Sequence, residues 1–129
     1  MNRKPQKKTG IFRILNATLY SLNGLHFAVT SEAAFRQEAC LVVIASAVLL
    51  FLPVSILWKG LLFFATAAIL VVELLNSAIE SVVDMASPEY HSLAKRAKDL
   101  GSAAVFISII LAVILWGGAI FTMLREALK

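Results

Sequence analysis

The feature that most constrains this chain is the run Val72-Glu73-Leu74-Leu75-Asn76-Ser77-Ala78-Ile79-Glu80-Ser81-Val82-Val83-Asp84, which sets three carboxylates and an amide in a segment otherwise apolar enough to enter a bilayer. At about 100° per residue on a helix, Glu73, Asn76, Glu80 and Asp84 fall within an arc of roughly 80°, with Leu74, Leu75, Ala78, Ile79, Val82 and Val83 outside it. The four polar residues therefore form one stripe. The rise is about 10 Å from Glu73 to Glu80 and about 16 Å to Asp84, so the stripe runs from membrane depth toward the water interface. An unpartnered carboxylate at that depth is expensive, which makes the stripe a functional-site hypothesis by default.

A chain of 129 residues that is 60% hydrophobic is one domain with the composition of a membrane protein, not of a soluble globule. The two strongest spans are residues 61–83 and 103–123, each close to the roughly 20 residues needed to cross the hydrocarbon. A third, residues 33–52, reaches that length only by extension back through Ala33, Ala34 and Phe35, leaving Arg36, Gln37 and Glu38 near the headgroups. Ahead of them, residues 10–29 carry Ile11, Phe12, Ile14, Leu15, Leu19, Leu22 and Leu25 on one face and Arg13, Asn16, Tyr20 and Asn23 on the other. This predicts an amphipathic helix lying on the membrane surface. Residues 1–9 read as a flexible basic tail. The expected fold class is an all-α membrane protein with three transmembrane helices and this N-terminal surface helix.

Thr30 and Ser31 are expected to cap the first span, with Glu32 in its first turn. Pro53 and Pro88 interrupt the helices. The lone cysteine, Cys40, has no partner for an internal disulfide and reads as a packing residue. Gly101-Ser102-Ala103-Ala104 offers a small-residue surface for close helix approach. Arg3, Lys4, Lys7, Lys8 and Arg13 precede the first span, and Lys95, Arg96 and Lys98 separate the second from the third. By the positive-inside rule the N-terminus is then cytoplasmic and the C-terminus lies on the opposite side. Topology accounts for the net charge of +4, and no basic-aromatic pattern points to nucleic acid. The basic N-terminus leads into an amphipathic stretch and not into a cleavable signal sequence.

On the expected cytoplasmic side the chain gathers Glu32, Glu73, Asn76, Glu80, Asp84, Glu89 and Asp99, with Arg13, Lys98 and His91. Carboxylates without a cysteine or histidine pair suit a hard ion such as Mg²⁺, which is commonly shared with substrate phosphates. Lys98 would act as a point charge on phosphate, and a carboxylate at the depth of Glu73 is placed to serve as a base toward a lipid hydroxyl. The glycines give no P-loop spacing, and no protein-kinase catalytic loop occurs. Three readings stay open on spacing alone: polar pairing between helices, a proton or cation pathway, and chemistry on a lipid.

Four stretches carry a resemblance: Glu32-Ala33-Ala34-Phe35-Arg36-Gln37-Glu38, the Glu-x-x-Asn-Ser-Ala-x-Glu core from Glu73 to Glu80, Glu89-Tyr90-His91, and Arg96-Ala97-Lys98-Asp99-x-Gly101-Ser102-Ala103-Ala104. Together they resemble the prokaryotic integral-membrane diacylglycerol kinases, over residues 9–116. The resemblance implies a homotrimer in the bacterial inner membrane with a periplasmic C-terminus, composite active sites at subunit interfaces, and transfer of the ATP γ-phosphate to diacylglycerol. A related branch phosphorylates undecaprenol. By resemblance, Glu73 is the general base and Asn76 lies in the catalytic stripe, while Glu32 and Glu80 are metal ligands for Mg²⁺. Lys98 and Asp99 contact the nucleotide, as do Tyr20, Glu89, Tyr90 and His91. Arg13 and Ser102 lie near the reacting lipid, with Arg13 also near phosphate. The surface helix departs from the family at Asn16, Leu22, Asn23 and His26, which implies a headgroup attraction weaker by about 1 kcal/mol per lost charge.

Overall fold

The computed structural model describes residues 10–128, so the reading of residues 1–9 as a tail lies outside it. Four helices follow in chain order: α1 (Ile11–Ser31), α2 (Ala33–Phe51), α3 (Ile56–Ala86) and α4 (Ser92–Ala127). Three of them, α2, α3 and α4, are long and apolar enough to cross a membrane. Both α3 and α4 run past the predicted spans, because the polar residues at their ends keep helical periodicity and meet no breaker before Ser87-Pro88. The helices thus project their charged turns beyond the hydrocarbon length.

The break between α1 and α2 is a single residue. Glu32 adopts an extended conformation (φ −99°, ψ 113°) and caps both helices. Thr30 and Ser31 do not cap α2 as expected. Thr30 instead turns its hydroxyl back to the His26 carbonyl at 2.8 Å, the usual back-bond of a helical threonine, and α1 continues through Ser31. Arg36 then donates to the carbonyls of Val29 and Thr30 at 3.3 and 3.2 Å, satisfying acceptors that the end of α1 leaves free. Lys59 does the same for α2 through the Leu50 carbonyl at 3.2 Å. Both corners are therefore set by a cation folding back on a helix C-terminus.

Helix α3 is the centre of the chain, packing along α4 and along α2. The core at one end joins Leu49, Leu62 and Ala119, with Trp58, Leu115 and Trp116 packed against them. Most other large apolar side chains on all four helices are exposed in the single chain, as expected of a surface that meets lipid or further copies. Cys40 belongs to this outward surface and does not pack internally. On α1 only Ala28 is buried, so that helix docks through its last turns and leaves its N-terminal two thirds free of the bundle.

Candidate functional site

The stripe on α3 turns toward α4 and α2 at its inner end. Glu73 keeps 5% and Asn76 8% of their accessible surface, while Leu75 and Ile79 face outward. Burial of these two polar residues depends on α4 coming very close. Gly101 is buried against Asn76, and a Cβ added there would collide with Asn76 Oδ1 and lie 3.3 Å from its Cγ. The glycine is what allows the amide into the helix interface. From that position Asn76 Nδ2 donates to Glu80 Oε1 at 3.1 Å, one turn along the same helix. Its Oδ1 is buried with no hydrogen-bond partner among the described residues.

Glu73 lies within electrostatic reach of Glu80 and Glu32. A fourth carboxylate joins them. Sequence places Glu38 among the headgroups, whereas the structure turns it inward beside Glu73, with Oε2 buried and unpaired among the described residues. The signal for this was present: Phe35, Glu38, Val42, Ala45 and Leu49 follow each other at three- and four-residue steps, the register of the inward face of α2. Glu38 stands at one end of an apolar groove of about 610 Å³ between α2, α3 and α4, whose walls include Val42, Val48, Ile69, Ala112 and Trp116.

Past Asp84 the surface becomes polar. The loop between α3 and α4 forms a basin of about 400 Å³ that brings Glu89, Tyr90, His91, Lys98 and Asp99 together, with Asp84 at its edge. His91 caps α4 by accepting from the Leu93 N–H at 3.2 Å through Nδ1, which orients the ring over the basin. Lys98 and Asp99 do not pair with each other. Lys98 Nζ contacts Asp84 Oδ1 at 2.5 Å, and Lys95 Nζ contacts Asp99 Oδ2 at 2.6 Å. The hydrogen bond to Asp84 raises the pKa of Lys98, and that to Asp99 raises the pKa of Lys95, so both amines stay charged.

Other predicted residues lie outside the basin within one chain. Glu32 lines a second cleft, of about 510 Å³, beside Ser77 and Ser81 of α3 and Gly24 and Ala28 of α1. Arg13 and Tyr20 lie on the exposed part of α1, and Ser102 faces outward from α4. Among the described residues no group of three or more His, Cys, Asp or Glu side chains is arranged to hold a metal ion.

A short helical chain with three apolar helices and a carboxylate stripe that is buried at Glu73 and opens toward a polar basin defines a class, that of small polytopic membrane proteins with ionisable residues concentrated at one end of the bundle. A model of the prokaryotic diacylglycerol kinase family matches residues 19–121. The chain belongs to that family. It is 50% identical over 108 residues to a diacylglycerol kinase of Escherichia coli K12, covering 84% of this chain and 88% of that one. Against the diacylglycerol kinase of Pseudomonas aeruginosa identity is 47% over 117 residues (90% and 95% covered). Against that of Haemophilus influenzae it is 43% over 115 residues (89% and 98%).

Proposed function

We infer that this chain is an ATP-dependent diacylglycerol kinase that acts on its lipid at membrane depth, with Glu73 as general base. The observation that carries this reading is the burial of Glu73 in a spanning helix whose Ile69, one turn before it, lines the apolar groove and whose Val83 and Asp84, further along, line the polar basin. In the proposed step Glu73 accepts the proton of the diacylglycerol primary hydroxyl as that oxygen attacks the γ-phosphorus of ATP. The bond from the γ-phosphorus to the bridging oxygen breaks, and phosphatidic acid and ADP leave. Asn76 holds Glu80 in place through its amide, and its unpaired Oδ1 is available to a donor on the reactants. Lys98 offers a fixed positive charge to phosphate, with Asp99, Glu89, Tyr90 and His91 around the nucleotide.

The donor set suits Mg²⁺. It is all oxygen, and this ion takes one or two protein carboxylates and completes its shell from phosphates and water, so a protein cage of three ligands is not required. Glu32 and Glu80 would hold it, and when bound it would neutralise charge building up on the phosphates. The acyl chain is assigned to the groove between α2, α3 and α4. Arg13 and Tyr20 lie on the exposed part of α1, and Ser102, although next to Gly101, faces outward from α4, so a site that used all three would be shared between copies of the chain, which favours the homotrimer. The proposed orientation puts the basin and N-terminus in the cytoplasm and the C-terminus in the periplasm, in line with the basic residues of the α3–α4 loop region.

The test is transfer of labelled γ-phosphate from MgATP to diacylglycerol and, in parallel, to undecaprenol by purified protein in mixed micelles. Diacylglycerol should be labelled strongly, and Glu73→Gln should lower turnover by about 10² to 10⁴ while nucleotide still binds. Preference for undecaprenol would replace the substrate. Retained turnover in Glu73→Gln would remove the base assignment, and carboxylate-dependent ion flux without labelling would favour the ion pathway.

A further inference from the structure

About 10 Å along α3 from Glu73, a neutral polar pair lies in the apolar part of the bundle. Thr66 keeps 8% of its accessible surface, and its hydroxyl donates to the Leu62 carbonyl at 2.7 Å. With its proton committed there, the oxygen accepts the indole N–H of Trp116 on α4 at 3.0 Å. Both residues line the apolar groove, to which α4 also contributes Ile109, Ala112, Val113, Gly117 and Ile120. The indole is the largest of these side chains, and the small residues Ala112 and Gly117 beside it leave room for the ring to turn. An indole N–H left without a partner in an apolar medium is costly, so its orientation follows the hydroxyl.

We propose that Thr66 is a positioning residue for lipid acceptance: by holding the Trp116 indole against α3 it keeps the groove open to long acyl chains of the substrate. The inference rests on the lipid-kinase reading and on assigning the acyl chain to this groove. Removal of the hydroxyl frees the ring to tip into the groove. Chains long enough to pass the ring are then disfavoured, and chains that end short of it are not. Neither residue touches the basin, so nucleotide binding is unaffected.

The experiment uses Trp58→Phe as background, which leaves Trp116 as the sole tryptophan of the two in the chain. Thr66→Val keeps the side-chain volume and removes the acceptor. It should raise the KM for dioleoylglycerol by roughly threefold to tenfold, as expected for one hydrogen bond between helices in a membrane. The KM values for dioctanoylglycerol and MgATP should stay within about twofold, and Trp116 emission and its quenching by brominated lipid should shift. Thr66→Ser should restore all of these. Trp116→Phe should reproduce the loss of long-chain preference, with Thr66→Val adding nothing further. Equal effects on both lipids, an unchanged Trp116 spectrum, or additive losses in the double variant would overturn the proposal. Absence of phosphorylation in the parent protein would count instead against the kinase reading, and the spectra would still decide whether Thr66 sets the indole.

Discussion

The two ends of the α3–α4 pair are built differently. At one end Leu62, Ala119, Trp58 and Trp116 pack as an apolar core, and the buried polar atoms of Thr66 and Trp116 satisfy each other. At the other end the helices close around Gly101 with Glu73 and Asn76 between them, and Asn76 Oδ1 and Glu38 Oε2 are buried without partners among the described residues. Buried polar groups in a finished structure are almost always paired. The first end is complete within the chain. The second holds two oxygen atoms unpaired among the described residues, as expected where reactants bind.

The largest effect on turnover that would break this contrast comes from a helix contact, in Gly101→Ala. The added methyl meets the Asn76 side chain, whereas the Asn76 Cα would be 3.8 Å away, an ordinary contact, so the amide must swing and the helices need not separate. Turnover should fall roughly 10- to 100-fold, since displacements of about 1 Å in a positioned group cost that much, with little change in thermal stability. Equal losses of stability and activity would show that the small residue serves packing alone. At the other end the signs reverse. Leu62 is fully buried, so Leu62→Ala should cost about 2–5 kcal/mol in unfolding measurements in detergent and leave the KM for MgATP within about twofold. A selective loss of nucleotide affinity in that variant would mean that the two ends are coupled.

The smallest effect is expected where the helices leave the membrane. The Lys98–Asp84 pair is solvent-exposed, and such pairs contribute little to stability. Asp84→Asn should change the KM for MgATP by less than about fivefold, and salt should shrink the difference. The sign with pH follows from the raised pKa of Lys98, which comes chiefly from its hydrogen bond to Asp84. Whatever the pair contributes is present in full below the ordinary lysine range and is lost as pH rises through the raised value. A stability difference between wild type and Asp84→Asn that disappeared on going from pH 7 to pH 9 would contradict that assignment.

Much of this architecture could be read from residue order. The three apolar helices, the turn at Pro53 and the stripe from Glu73 to Asp84 follow from local period and composition, and the loop residues Glu89, Tyr90 and His91 do meet Lys98 and Asp99 in one basin. The corner at Glu32 was misread because Thr30 can bond either forward as a cap or backward to His26. Propensity does not choose between these, whereas Arg36 folding over the end of α1 favours the second. The inward facing of Glu38 is hidden in the sequence for a related reason. Its neighbours Arg36 and Gln37 draw it toward the headgroups, while its register with Phe35 and Val42 turns it inward.

Residue order alone settles which segments are apolar enough to span, that a helix there carries its carboxylates on one side, and that the family motifs stand in order, because hydrocarbon thickness and the 3.6-residue period act on neighbours along the chain. That Gly101 admits Asn76, that Glu38 joins Glu73 and that Thr66 holds Trp116 emerge from the packing of the helices. Each of these contacts joins two different helices, the last across fifty positions of sequence, and a pairing of that kind is chosen by shape and hydrogen-bond partners that no local pattern encodes.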